Sequence, residues 1–140
     1  MRFHQSLSTG KQSEEMVLNR IQHKYPSAYI EDGYFKDYDI YIPEISTSVE
    51  VKKDFKSKYT GNVVVEVSMN GELSALSITR ANWWVFHLDE QEFIWITPQQ
   101  IKDMIHREQF DPVQFTGNGD YASKVAYLIK KEYFNLYNEI

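Results

Sequence analysis

The sequence predicts an α/β fold, a central mixed β-sheet flanked by helices, in a single domain over residues 1–140. Three observations carry that prediction. Short runs alternate apolar and polar residues, as half-buried strands do: Tyr38-Asp39-Ile40-Tyr41-Ile42, Ser48-Val49-Glu50-Val51-Lys52 and the valine-rich stretch 60–68. Two other segments, around 13–24 and 98–107, space their apolar residues three and four apart, as amphipathic helices do. The chain is also long enough for one buried core, and its apolar content of 42% with 15% aromatic residues argues against disorder.

Taken in order, residues 1–10 are polar and read as a loosely held lead-in. Ser13 can cap a helix running to about His23 or Lys24, with Pro26 ending it. Met16, Val17, Leu18 and Ile21 give that helix its apolar stripe, and Glu14 falls on the same stripe. A carboxylate there is costly unless paired or ligating, but one in the first turn also complements the positive end of the helix. Ser27 to Glu31 reads as a strand and Asp32-Gly33 as a turn.

The next two strands are joined through Pro43 to Thr47. In the first, Ile40 and Ile42 face one way and Asp39 and Tyr41 the other; in the second, Val49 and Val51 oppose Glu50 and Lys52. Pairing the two strands brings Asp39 to the face of Glu50 and Lys52. Converging carboxylates require a lysine or a cation to relieve their repulsion. Mg²⁺ takes oxygen ligands from one or two carboxylates and completes its shell with waters and phosphate oxygens. A bound Mg²⁺, for which Mn²⁺ substitutes, lowers the pKa of its water and stabilises charge on a phosphoryl oxygen. Lys52 then orients or deprotonates the attacking water, or neutralises the pentavalent phosphorus transition state. The plain alternative for Glu50-x-Lys52 is a solvated ion pair.

Residues 54–60, with Lys56 and Lys58, read as a loop beside the proposed site, either a solvated connector or a phosphate or strand contact in which Phe55 or Tyr59 stacks on a base. Glu66 interrupts the valine run that follows, as an exposed residue or as an acid near the metal. Residues 73–84 suggest a loop and a short helical turn leading into a strand. Trp84–Leu88 and Phe93–Thr97 form a hairpin with an acidic tip, and Thr97-Pro98 starts a helix to about His106 or Arg107. Residues 111–123 read as a long loop, Ala126–Ile129 as a last strand and Lys130–Tyr137 as a short terminal helix. His4, His23, His87 and His106 have no ligand spacing, and neither a Walker-type phosphate loop nor a Ser-His-Asp constellation is present.

Asp39 followed by Glu50-Val51-Lys52 resembles the signature of the PD-(D/E)XK nuclease superfamily, with Tyr38 where the strict form has proline. The resemblance implies a restriction-endonuclease-like core, with Asp39, Glu50 and the Val51 carbonyl as metal ligands and Lys52 as the catalytic lysine. In resolvase-type members the first helix carries Gly-x-x-x-Glu; Gly10 to Glu14 matches, which adds Glu14 to the catalytic and metal set. A phage and bacterial branch is similar over more of the chain. It has a Thr-Gly-Asn strand ending in Glu, like Thr60-Gly61-Asn62 to Glu66. It has a segment like Ala75 to Trp84, from which Ala75 and Ile78 depart, and a stretch like Gly117 to Lys124. The resemblance makes Ser77, Thr79, Arg80, Lys124 and Tyr121 candidate nucleic-acid contacts, and Lys53 joins them from the Lys52-Lys53 basic cluster.

The expected function is metal-dependent hydrolysis of DNA phosphodiester bonds, selective for junctions or branched DNA by resemblance to resolvases, and a symmetric junction cutter implies a homodimer. Nothing in the residues separates RNA from DNA. The alternative is a catalytically silent nuclease fold serving as a nucleic-acid or protein binding module, or one subunit of a larger assembly. The net charge of −5 favours that alternative, since phosphate neutralisation usually needs a basic face, although metal-site carboxylates account for part of the deficit. With no cysteine, no apolar signal region in Met1 to Gln5 and no apolar run near the ~20 residues of a membrane span, the expectation is a cytoplasmic location, in a bacterium or a phage-infected cell, with no membrane partner.

Overall fold

Ser13, Val17 and Ile21 lie four residues apart and are buried together, which makes one continuous face of helix α1 (Arg2–Gln22). The computed structural model describes residues 2–33, 37–116 and 123–140. The expected polar lead-in is thus helical from Arg2, and Ser13 sits mid-helix instead of capping it. Only the mild helix penalty of Gly10 interrupts the run. Pro26 does close it: the N–H groups of Lys24 and Tyr25 both turn back to the Ile21 carbonyl.

Strands β1 (Tyr29–Ile30), β2 (Ile40–Ile42) and β3 (Thr47–Lys53) form an antiparallel meander. Pro43–Ile45 makes a 3-10 turn between β2 and β3, with Ser46 in the left-handed region (φ 47°). The expected loop over 54–60 contains a short helix, α2 (Ser57–Thr60). Strands β4 (Asn62–Met69) and β5 (Glu72–Leu73) form a hairpin around Asn70-Gly71, whose φ values of 52° and 81° are those a tight two-residue turn requires. A 3-10 turn at Ala75–Ser77 leads to the expected hairpin of β6 (Trp83–Asp89) and β7 (Glu92–Ile96).

Helix α3 (Pro98–Glu108) begins with a capping box: the Thr97 hydroxyl accepts from the Gln100 N–H and the Gln100 side chain accepts from the Thr97 N–H. The expected long loop over 111–123 includes a strand, β8 (Val113–Thr116), paired with β9 (Ser123–Lys130). The terminal segment forms only a 3-10 turn, Lys131–Phe134, in place of the expected helix.

The chain is mixed α/β with a five-stranded mixed sheet, as expected, in the order β1-β2-β3-β6-β7, with β3 and β6 parallel. A second sheet, antiparallel throughout in the order β5-β4-β9-β8, accompanies it and corrects the expectation of a single central sheet. The mixed sheet is covered on both faces. On one face Ile40, Val49, Val85 and Trp95 pack with Val17 and Ile21 of α1. On the other, Trp84, Phe86 and Ile96 pack with Val63, Val65 and Ile129 of the second sheet and with Ile101 and Met104 of α3.

Candidate functional site

The face of β3 that carries Glu50 and Lys52 is the one turned toward the second sheet. Glu50 pairs in register with Trp84, and Lys52 with Phe86. The Lys52 ammonium lies 2.8 Å from Glu50 Oε2 and 4.9 Å from the centroid of the Trp84 ring. Glu50 and Lys52 sit two residues apart, so the strand's alternation puts both side chains on this face.

Asp39 immediately precedes β2. The register of β2 with β3 ends at Ile40 opposite Val49, and Asp39 follows at the end of that pairing. Its backbone N–H donates to the Val49 carbonyl at 2.9 Å. Its carboxylate extends the pairing by one more bond, with Oδ2 accepting the Val51 N–H at 2.7 Å. Strand β2 does not extend to meet Val51, and the Asp39 side chain takes the place of the missing strand carbonyl.

Two clefts meet at Lys52 of this group, and Asp39 lines neither of them. A cleft of about 290 Å³ is lined by Asp37, Glu50, Lys52, Glu66, Thr79 and Arg80 among others. A larger one of about 470 Å³ has Lys52, Lys53, Lys56, Glu66, Phe115 and Lys124 in its walls. Lys52 and Glu66 belong to both. Glu66 comes from β4 just before a bulge between Glu66 and Ser68. It accepts the Ser74 hydroxyl at 2.7 Å and lies 4.0 Å from the Lys124 ammonium.

The candidate contacts from Ser77 to Arg80 divide by role. Ser77 donates its hydroxyl to the Val67 carbonyl (2.7 Å), and Thr79 Oγ1 accepts from Trp84 Nε1 (3.0 Å) and from the Ala81 N–H (3.2 Å). These bonds make the segment a rigid bracket. Asn82 extends it: its Oδ1 accepts from the Ser48 N–H (2.8 Å) and hydroxyl (3.0 Å), which locks β6 in parallel register beside β3. Arg80 is exposed, and it and Thr79 line the smaller cleft.

Lys53 and Lys124 fall on the larger cleft, and the Lys53 ammonium also lies 4.4 Å from the Phe55 ring centroid. Glu14 is half-buried on α1, next to Ser13; α1 packs on β3, on the sheet face opposite Glu50 and Lys52. The segment Gly117 to Ala122, with the candidate Tyr121, lies outside the described residues.

Asp37 and Phe115 of the cleft walls were not candidates from sequence. Asp37 shares the strand parity of Asp39, and that alternation is the signal that points to it. Phe115 carries no comparable signal, because only the packing of the two sheets brings it to the cleft, whereas Lys56 arrives from the basic connector that follows β3. Asp54, at the end of β3, accepts the Val64 N–H at 2.9 Å. Burial pushes its carboxyl above the usual range, partly offset by backbone N–H donors and the Lys56 charge.

Beneath the site, on the α1 side of β6, His87 is buried and its Nδ1 lies 2.7 Å from the Ser13 hydroxyl oxygen. The ring stacks on Phe93 at 4.7 Å and meets the edge of Phe55 at 4.8 Å. Burial lowers its pKa, and the nearby Lys53 charge acts in the same direction.

The donor set suits a hard divalent cation in one respect: one or two carboxylates, here Glu50 of β3 and Asp39 just before β2, are what Mg²⁺ takes from protein, with waters and substrate completing its shell. Among the described residues no group of three His, Cys, Asp or Glu side chains gathers as a metal site. Among the same residues no helix is long and apolar enough to cross a membrane. No protein-family model, curated protein or solved structure matches the chain.

Proposed function

We propose that this chain is a divalent-metal-dependent nuclease that hydrolyses phosphodiester bonds in DNA. The observation that carries the reading is the Glu50–Lys52 pair of β3, which lines one cleft together with Arg80, while Asp39 accepts the N–H of Val51 between them. The five-stranded mixed sheet with α1 on one face is compatible with a restriction-endonuclease-like core.

In this reading Asp39 and Glu50 hold Mg²⁺ or Mn²⁺, aided by the Val51 carbonyl, with Glu14 in the set by resemblance alone. The bound ion supplies Lewis acidity toward phosphoryl oxygen and a more acidic water. Lys52, held at 2.8 Å by Glu50, presents an ammonium to the cleft. It orients the attacking water and offsets negative charge that develops on the phosphorus oxygens. Arg80 binds a neighbouring phosphate, and the Ser77–Thr79 bracket fixes where Arg80 stands. Preference for branched DNA, and the homodimer a symmetric junction would need, are part of the proposal.

A second reading is a nucleic-acid or protein binding module. It draws on the pairing of Glu50 with Lys52 and the engagement of Asp39 by the Val51 N–H, which already satisfy both acids in part. Calorimetric titration of Mg²⁺ and Mn²⁺ into wild type and Glu50→Gln, beside cleavage of labelled linear, flapped and four-way DNA, separates the two. Metal binding and cleavage that both vanish in Glu50→Gln support the nuclease. No metal binding by wild type would leave the binding module.

A further inference from the structure

We propose that the two clefts form one channel for a single DNA strand, in which the lysine-lined cleft docks backbone phosphates without metal and the Arg80 cleft is the cation-dependent half. This rests on the nuclease reading for the second half only.

Continuity comes first. Lys52, Glu66 and Ala75 stand in the walls of both clefts, so the clefts meet at Lys52 and Glu66, next to Glu50. Charge comes second. The larger cleft sets four lysines (52, 53, 56 and 124) against Asp54 and Glu66, a formal excess of two positive charges. The smaller sets Lys52 and Arg80 against Asp37, Glu50 and Glu66, a formal deficit of one. A chain of net charge −5 thus concentrates positive charge on one side of the proposed reacting centre and leaves the other side short of it. Phosphates dock unaided where lysines are in excess, and need a cation where carboxylates are.

Size and lining select a single strand. At about 470 and 290 Å³, both clefts are near the scale of small-ligand sites, about 300–1,000 Å³. Clefts of this size, walled by residues of both sheets, suit one strand better than a duplex. The larger cleft also carries apolar wall from Val64, Ala75 and half-buried Phe115. Basic side chains interleaved with an aromatic ring are what sequence-tolerant single-strand grooves use.

The test is fluorescence anisotropy in EDTA with a labelled oligothymidylate and a labelled duplex of equal length, over a series of salt concentrations. The proteins are wild type, Lys56→Glu/Lys124→Glu and the milder Lys56→Gln/Lys124→Gln, each checked for fold by circular dichroism. Wild type should bind the single strand at least about tenfold tighter than the duplex. Both double variants should weaken that binding and lower the salt slope by about 1.4, at about 0.7 per lost phosphate contact.

Absent binding in EDTA, equal affinity for duplex, or an unchanged slope in a folded double variant each overturns the channel. Adding Mg²⁺ to the wild-type complex separates the two readings. A strand bound through the lysines but never cut sinks the nuclease and leaves the channel; cutting with no lysine dependence does the reverse.

Discussion

The Lys52 ammonium is 2.8 Å from Glu50 Oε2, and the two side chains are 36% and 21% exposed. A pair that open to water contributes on the order of 0–1 kcal/mol to stability. Lys52→Met should therefore leave the urea midpoint almost unmoved. If Lys52 orients the attacking water, cleavage in Mg²⁺ should fall by about 10²–10⁴-fold. Retained cleavage in a folded variant would remove Lys52 from the chemistry.

Asp39 should show two separable roles. Asp39→Asn keeps an oxygen that can accept the Val51 N–H, now made at 2.7 Å, but loses the charge. It should fold as wild type does and bind Mg²⁺ weakly or not at all by calorimetry. Asp39→Ala removes both and should cost a further 1–3 kcal/mol or so in stability, because Val51's N–H loses its acceptor. Equal stability of the two variants would show that the strand-end bond contributes little.

His87 sets a pH dependence of stability. Its folded pKa is lowered from an ordinary value of 6.5, so above that pH the ring is neutral in both states and the buried stack contributes in full. As pH falls from about 6.5 toward the folded value, the unfolded chain takes up a proton that the folded chain refuses, and stability is lost. Asp89 opposes the lowering and Lys53 reinforces it. Urea denaturation at about pH 7.5 and about pH 5.5 should show this loss in wild type and a smaller one in His87→Phe. Ser13→Ala should also destabilise by roughly 1–3 kcal/mol, since it removes the partner of Nδ1.

Thr79→Val should act through position. It keeps the shape of the side chain but removes the acceptor of Trp84 Nε1, at a stability cost of about 1–3 kcal/mol for the donor left behind. DNA affinity should weaken less than in Arg80→Ala, because the hydroxyl serves the bracket and the guanidinium serves the strand. A larger affinity loss in Thr79→Val would make Thr79 the direct contact.

Local signals were readable where they decide structure alone. The Thr97-Pro98 start of α3, the β6–β7 hairpin and the alternation that puts Glu50 beside Lys52 all depend on neighbours in sequence. The Asn70-Gly71 turn carried such a signal too, and it marks the β4–β5 hairpin. Ser13 misled because a serine before an apolar stripe looks like a cap; its actual partner, His87, is 74 residues away. The second sheet was hidden for the same reason. The residues mark 60–68 and Ala126–Ile129 as strands, but only the pairing of Val63 with Ile129 says that they leave the first sheet and build another. Glu66 and Phe115 reach the clefts through that second sheet, so the far side of the larger cleft was the least legible part of the site.

The chain crosses between its sheets more than once: β3 in the first, β4 and β5 in the second, β6 and β7 back in the first, β8 and β9 in the second again. Such lacing makes folding non-local, and such domains fold more slowly than helical bundles. Strand β4 has no central partner until β9, near the end of the sequence, has been synthesised. Until then Val63 and Val65 have lost one flank of their cover, and the lysine-lined cleft lacks Lys124. The groove consequently cannot form before β9 is made, and a chain that stops short of β9 should have neither a stable second sheet nor a place to hold a strand.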